Sequence, residues 1–213
     1  MSNPAPARTD VDPLGTPATA PGVAAPALGT TRRIGTGLAL GATAFGLSFL
    51  VGDPQDAGGA GDFTDAGGLL FQFGLFGLLY LMRRTRATGD GRFGRGLLWT
   101  VTALLVPATA WSALAIVVPA DARGTWFVVL DLFWPLSMLG MAVIGVTIAV
   151  VGRYRGILRF WPAVAETWAV VTVPVLGVLG PAVGNAVGGL HMILGYGVLG
   201  LLVATRPQRL GVR

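Results

Sequence analysis

Residues 66–118 read AGGLLFQFGLFGLLYLM, RRTRATGDGRFGR, GLLWTVTALLVPATAWSALAIVV. Apolar runs over 66–82 and 96–118 enclose five arginines, Arg83, Arg84, Arg86, Arg92 and Arg95. A hydrocarbon layer about 30 Å thick is crossed by about 20 apolar residues in helical form, and guanidinium groups belong at its edge. The stretch is therefore two membrane helices joined by a basic turn. Moving outward, similar apolar runs lie at 34–51, 125–151, 161–179 and 182–204. A backbone isolated in lipid must satisfy its own hydrogen bonds, so each run is helical.

The expected fold is all-α, a polytopic transmembrane bundle of six helices over 34–204. A disordered cytoplasmic tail at 1–33 precedes it and a short basic cytoplasmic tail at 205–213 follows. The arginines set the orientation. Arg8, Arg32 and Arg33, then Arg83 to Arg95, then Arg153, Arg155 and Arg159, then Arg206, Arg209 and Arg213 fall on alternate connections, and Arg123 stands by itself on the others. By the positive-inside rule both termini are cytoplasmic. Trp99, Trp126 and Trp161 lie near the ends of runs, where an amphipathic ring suits the headgroup layer. Residues 1–33 hold six of the 14 prolines and few large apolar side chains, too little to offset the entropy of ordering.

Composition bounds the chemistry. The 213 residues are 53% hydrophobic and 12% charged, so water is not the main solvent. No cysteine is present, which excludes disulfides, thiolate metal sites and thiol nucleophiles. A sequence pI near 11.0 raises nucleic acid as a partner. Because the arginines flank apolar runs, the expected partners are instead the lipid bilayer and its anionic headgroups, each arginine contributing about 1 kcal/mol near the surface. Thr31-Arg32-Arg33 before an apolar run containing Ala42-Thr43-Ala44 has the outline of a twin-arginine export signal. Ile34, Gly35 and Thr36 do not continue that motif, and anchoring explains the pair.

Ionisable groups inside a span cost about 2.5 to 3.5 kcal/mol each and need a reason. Three qualify, Asp131, His191 and Glu166, and they form the candidate intramembrane polar site. At 1.5 Å per residue, Asp131 lies about 7 Å and His191 about 13 Å from the same side. His191 shares a helical face with Gly184, Gly188 and Gly195, a stripe that marks close helix approach, so it faces protein, with a structural hydrogen bond or a proton-accepting role as its two readings. Asp131 heads a stripe of Pro135, Met138, Ala142 and Gly145, read as an inward face. Pro135 has no N–H to offer the carbonyl of Asp131, so a bend is expected there, and the carboxylate holds a proton or cation, reaches the outer surface or pairs with Arg123. Glu166 follows Pro162 near a helix start, where negative charge is favoured and Arg159 is close in sequence. If Glu166 faces inward, the three would step across the membrane as a relay.

Other motifs are weaker. The loop 52–65 carries Asp53, Asp56, Asp62 and Asp65, but its spacing fits neither an EF-hand nor a repeated nonapeptide, so no calcium or other metal site is expected. Gly35-x-Gly37 follows no strand and is no nucleotide fingerprint. Ser48, Ser112 and Ser137 lack a nucleophile elbow, so no enzyme, catalytic residue or cofactor is expected. Gly37 and Gly41, and likewise Gly184 and Gly188, have the small-xxx-small spacing of packed helices.

From Trp134-Pro135-Leu136-Ser137-Met138-Leu139-Gly140-Met141, through Arg153 to Arg159 and Trp168 with Pro174, to His191–Gly197, the chain resembles a group of uncharacterised six-span integral membrane proteins of actinobacteria. The resemblance implies a bacterial cell membrane and brings no activity with it. The expected role is a non-catalytic scaffold, sensor or accessory subunit with a membrane-protein partner. The alternative is a small proton-linked carrier using Asp131 and His191.

Overall fold

A computed structural model of the chain describes residues 26–51 and 60–210, without the side chains of 60–62 and 120. The expected tail as far as residue 25, the loop residues Asp53 and Asp56 and the Asp62 side chain lie outside the described residues. Among the described residues the chain is all-helical, with no strand. Its helices are α1 (Leu28–Val51), α2 (Ala60–Arg84), α3 (Arg92–Val117), α4 (Thr125–Asp131), α5 (Phe133–Val151), α6 (Trp161–Glu166), α7 (Trp168–His191) and α8 (Val198–Thr205), with a π-helical turn at Met192–Gly197. Five stretches are long and apolar enough to cross a membrane: Leu28–Val51, Phe63–Arg84, Arg92–Val117, Thr125–Val151 and Trp161–Thr205.

Helix α1 starts at Leu28, inside the expected tail and before the apolar run begins at Ile34. Hydropathy marks where a helix suits lipid, whereas the backbone hydrogen bonds continue past that edge; the Thr31 N–H reaches the carbonyl of Ala27 at 3.1 Å. Near Pro135 the helix is divided into α4 and α5 at Leu132, which keeps right-handed helical φ −59° and ψ −25°. Proline withholds its N–H from the carbonyl of Asp131, and the flanking bonds Leu132 N to Val128 O and Leu136 N to Leu132 O are both stretched to 3.4 Å.

The last apolar stretch, Trp161–Thr205, doubles back on itself. Gly180 has φ 80° and ψ 174°, a conformation closed to residues with a Cβ, and Pro181 follows it. Trp168 Nε1 donates to the carbonyl of Gly188 at 2.8 Å and Trp161 Nε1 to that of Gly195 at 3.0 Å. In a straight helix residues 168 and 188 would stand about 30 Å apart, so the two limbs run antiparallel about Gly180. The glycine stripe read from sequence lies in this seam: Gly184 packs on Leu176, Gly188 on Thr172 and Gly195 on Ala165.

The helices form a closed ring. α1 packs on α2 and, on its other side, on α8 and the π-turn; α2 packs on α3, α3 on α5, α5 on α6, and α6 on the π-turn. Backbone meets backbone along α1. A methyl group added at Gly35 would fall 2.6 Å from the carbonyl oxygen of Gly200. One at Gly46 would fall 2.7 Å from that of Gly189. Gly37, by contrast, has open space before it and packs on nothing. Inside the ring lie Phe45, Phe71, Trp134, Trp168 and Tyr196, in a network of edge and stacked ring contacts at 4.8 to 6.2 Å between centroids. The outer surface is apolar, with Leu40, Val106, Val178 and Leu194 all exposed, a covering that suits lipid and not water.

The arginine-bearing segments gather at one end. Gly77 of α2 packs on Ile34, and Gly35 on Ala204, so the start of α1, the end of α2 and the end of α8 are level. Thr85 and Tyr154 share a hydrogen bond at 2.9 Å, Arg153 pairs with Asp90, and Arg155 N donates to Arg209 O at 3.1 Å. The connections 85–91 and 152–160 and the segment 206–210 are thereby tied into one layer. Arg123 lies at the opposite end, where its guanidinium donates to the carbonyls of Ala115 and Val118 at the close of α3.

Candidate functional site

The buried carboxyl of Glu166 is the centre of the site. It is the last residue of α6, beyond which Thr167 has φ −79° and ψ 2° and interrupts the helix. Across the seam Tyr196 sits in the π-turn, where the helix is widened. Both elements are thus irregular at the level where their polar side chains meet, a pattern that recurs at functional positions in helices. Tyr196 donates its phenolic hydrogen to Glu166 Oε2. Glu166 is 1% exposed, and its Oε1 has no hydrogen-bond partner.

Aromatic rings enclose the pair. Phe71 meets the Tyr196 ring edge-on at 4.8 Å, and Phe45 links Phe71 to Trp134 and Trp168. The next residue of α2, Gln72, is fully buried with neither amide atom hydrogen-bonded. An unsatisfied buried amide costs roughly 1 to 3 kcal/mol. Chemically the site offers an acceptor oxygen and a phenol fixed against its neighbour in low-dielectric surroundings. Arg159 does not pair with Glu166; its Nε donates to Ala149 O at 2.9 Å and caps α5.

His191 is half-buried, with Nε2 3.0 Å from the carbonyl of Val164. That carbonyl also accepts from the Thr167 hydroxyl at 2.7 Å. At the break after α6 Val164 O also accepts the Thr167 N–H at 3.4 Å, so one carbonyl serves the backbone and both side chains.

Asp131 stands apart. It is exposed at the end of α4, and α4 packs on α3 and α5 with no substantial contact to α6, α7 or the π-turn. The inward face expected for the stripe starting at Asp131 begins only at Met138; Asp131 and Pro135 are both exposed. In α4 it is Phe127 that is buried, packing on Trp111 at 5.2 Å. Pairing of Asp131 with Arg123 is also absent, since Arg123 caps α3 and lies over the Phe127 ring. Of the three residues singled out from sequence, Glu166 and His191 share the seam between α6 and the C-terminal limb, and Asp131 does not join them.

Tyr196 and Gln72 went unnoticed in the sequence. The signal was available: each carries a polar group in the middle of an apolar run, where a partner is required. Trp161, expected as a headgroup anchor, spends its N–H on Gly195 inside the bundle, whereas Trp99 and Trp126 are exposed. Among the described residues no group of His, Asp and Glu is placed to hold a metal ion. No family model matches this chain, and neither does a curated protein or a solved structure.

Proposed function

We propose that this is a multi-pass protein of a bacterial plasma membrane, crossing it six times with both termini cytoplasmic, and that it serves as a non-catalytic scaffold, sensor or accessory subunit. The reversal at Gly180 supports a sixth crossing, because each limb is itself long enough to span. The gathering of arginine-bearing segments at one end supports a cytoplasmic assignment for that end. One observation carries the role: the ring is closed by direct backbone contacts along α1, and its centre is filled with aromatic side chains. Such an interior suits a rigid membrane body.

The second reading, a small proton-linked carrier, draws on a different observation. Interrupted helices at membrane depth are a device of carriers, and the break at Thr167 and the π-turn flank Glu166, the one buried carboxyl among the described residues. In that reading Glu166, with Tyr196, takes the place of the Asp131 and His191 pair.

Because the chain has no cysteine, single-cysteine labelling tests the topology directly. In intact cells an impermeant maleimide should label D121C, and Q208C only after permeabilisation. Labelling of Q208C from outside would overturn the orientation. For the role, vesicles containing the chain should hold an imposed proton gradient as well as empty vesicles do. A leak that E166Q abolishes would replace the scaffold with the carrier.

A further inference from the structure

At the arginine-bearing end, a cavity of about 390 Å³ opens between the last turns of α2 and the first turns of α3. Arg83, Arg84, Arg86 and Arg95 line it, with Tyr80 and Trp99 on the side toward the apolar stretches. We infer that this cavity holds the phosphate of an anionic glycerolipid headgroup, an assignment that rests on the membrane placement proposed above and adds a defined site to it.

Charge is the first argument. Four guanidinium groups line one cavity whose one carboxylate is Asp90. Asp90 is already shared between Arg86, at 2.8 Å, and Arg153 from the neighbouring connection. Arg83 lies over the Trp99 ring at 4.3 Å from its centroid, and its Nη1 is shielded from solvent without a hydrogen-bond acceptor. Arg83 Nη1 therefore has a bond left to give, Arg95 lines the same cavity, and a phosphate offers several acceptor oxygens in the geometry that guanidinium forks match.

Position is the second. Tyr80 and Trp99 are 38% and 63% exposed, and Leu98 continues the apolar wall. Tyr and Trp occupy the headgroup level in membrane proteins. A phosphate in this cavity would be covalently followed by acyl chains along the outer faces of α2 and α3, which a free phosphate lacks. In the turn between them Arg86 has φ 50° and Gly89 φ 89°, and Arg83, Arg86 and Arg95 line the same cavity.

Native mass spectrometry of the full chain in detergent, with added phosphatidylglycerol, phosphatidylcholine or glycerol 3-phosphate, tests the assignment. One phosphatidylglycerol should be retained in preference to phosphatidylcholine. R95Q should lower its retention about fivefold, the factor expected for one basic group at a headgroup surface. R83Q should act in the same direction, and R206Q, at the same end but outside the cavity, should not. Equal retention of the two lipids, or an R95Q protein indistinguishable from the parent, would overturn the site. Displacement of phosphatidylglycerol by equimolar glycerol 3-phosphate would overturn the lipid in favour of a soluble phosphate. The parent and variants are also reconstituted into vesicles. Failure of the parent to incorporate would sink the membrane placement, whereas incorporation without lipid preference would sink the cavity assignment and leave the placement standing.

Discussion

Tyr196 and Glu166 meet across the seam of the C-terminal hairpin, the phenol donating to Oε2 of the carboxyl in a fully apolar neighbourhood. Thirty positions apart in sequence, they are brought together by the reversal at Gly180. The bond joins the two irregular elements of the fold, the end of α6 and the π-turn, and so fixes how the second limb of the hairpin lies on the first.

Y196F removes the donor and leaves a second oxygen of Glu166 without a partner. A buried acceptor so orphaned costs about 1 to 3 kcal/mol. We expect Y196F to lower the melting temperature in detergent, and the Y196F/E166A double variant to lose less than the two single losses added together. Strict additivity in this cycle would mean that the bond contributes nothing to stability.

Much of the fold was legible because it follows from local rules. Gly180-Pro181 between two apolar runs reads as a connection, and the stripe Gly184, Gly188, Gly195 reads as a seam. Each of these signals lies within a few residues of its effect. The pairing of Tyr196 with Glu166 depends instead on the register between two limbs, which apolar periodicity leaves undetermined. Asp131 is exposed at the end of α4, in keeping with a carboxylate that reaches the outer surface, and the buried part of its stripe begins at Met138. Helix α1 begins earlier than its apolar run because lipid preference and helix formation have different limits.

Gly35 and Gly37 provide a matched pair of tests. They are two residues apart on α1, yet a methyl group at Gly35 would meet Gly200 O at 2.6 Å and Ala204 N at 2.5 Å, and one at Gly37 meets nothing within 4 Å. G35A must push α1 from α8, at a cost of about 1 to 3 kcal/mol typical of overpacking. G37A should be neutral or slightly stabilising, since alanine favours helix. Thermal unfolding of both in one detergent decides it, and equal stabilities would deny the close packing of α1 on α8.

The tied layer at the arginine-bearing end should respond to pH at both extremes. Asp90 is held below its ordinary 3.8 by its hydrogen bond to Arg153 first and to Arg86 second. Its contribution is therefore complete above pH 3.8 and is lost as pH falls through the lowered value. Being exposed, it should also weaken with salt. Burial raises the phenol of Tyr154 above its ordinary 10.0, the Thr85 hydrogen bond opposing this in part. That contribution is complete below pH 10 and is lost as pH rises beyond it. Carboxyl NMR of Asp90 should show a midpoint under 3.8 that moves upward in R153Q. Phenolate absorbance near pH 10 should be the same in Y154F as in the parent. An Asp90 midpoint unmoved by R153Q would mean the two connections are not tied through it.

Asp131 and His191 lie on parts of the fold that do not touch, and this separates the two functional readings more sharply than either residue does singly. H191A removes one of two side-chain partners from Val164 O, and the Thr167 hydroxyl remains, so the loss should be about 0.5 to 1.5 kcal/mol. D131N alters an exposed carboxylate at the end of α4 and should leave stability within about 0.5 kcal/mol of the parent. Sites without shared partners add, so the double variant should equal the sum of the single ones within about 0.5 kcal/mol. A carrier that moves a proton between these residues must bring them together in some state, and would then show coupling well beyond that limit, in stability or in the pH dependence of uptake. Stability cycles in detergent, repeated in vesicles under an imposed proton gradient, distinguish the cases. Additivity under both conditions leaves Glu166, the buried acid among the described residues, as the group on which proton movement through this chain can be built.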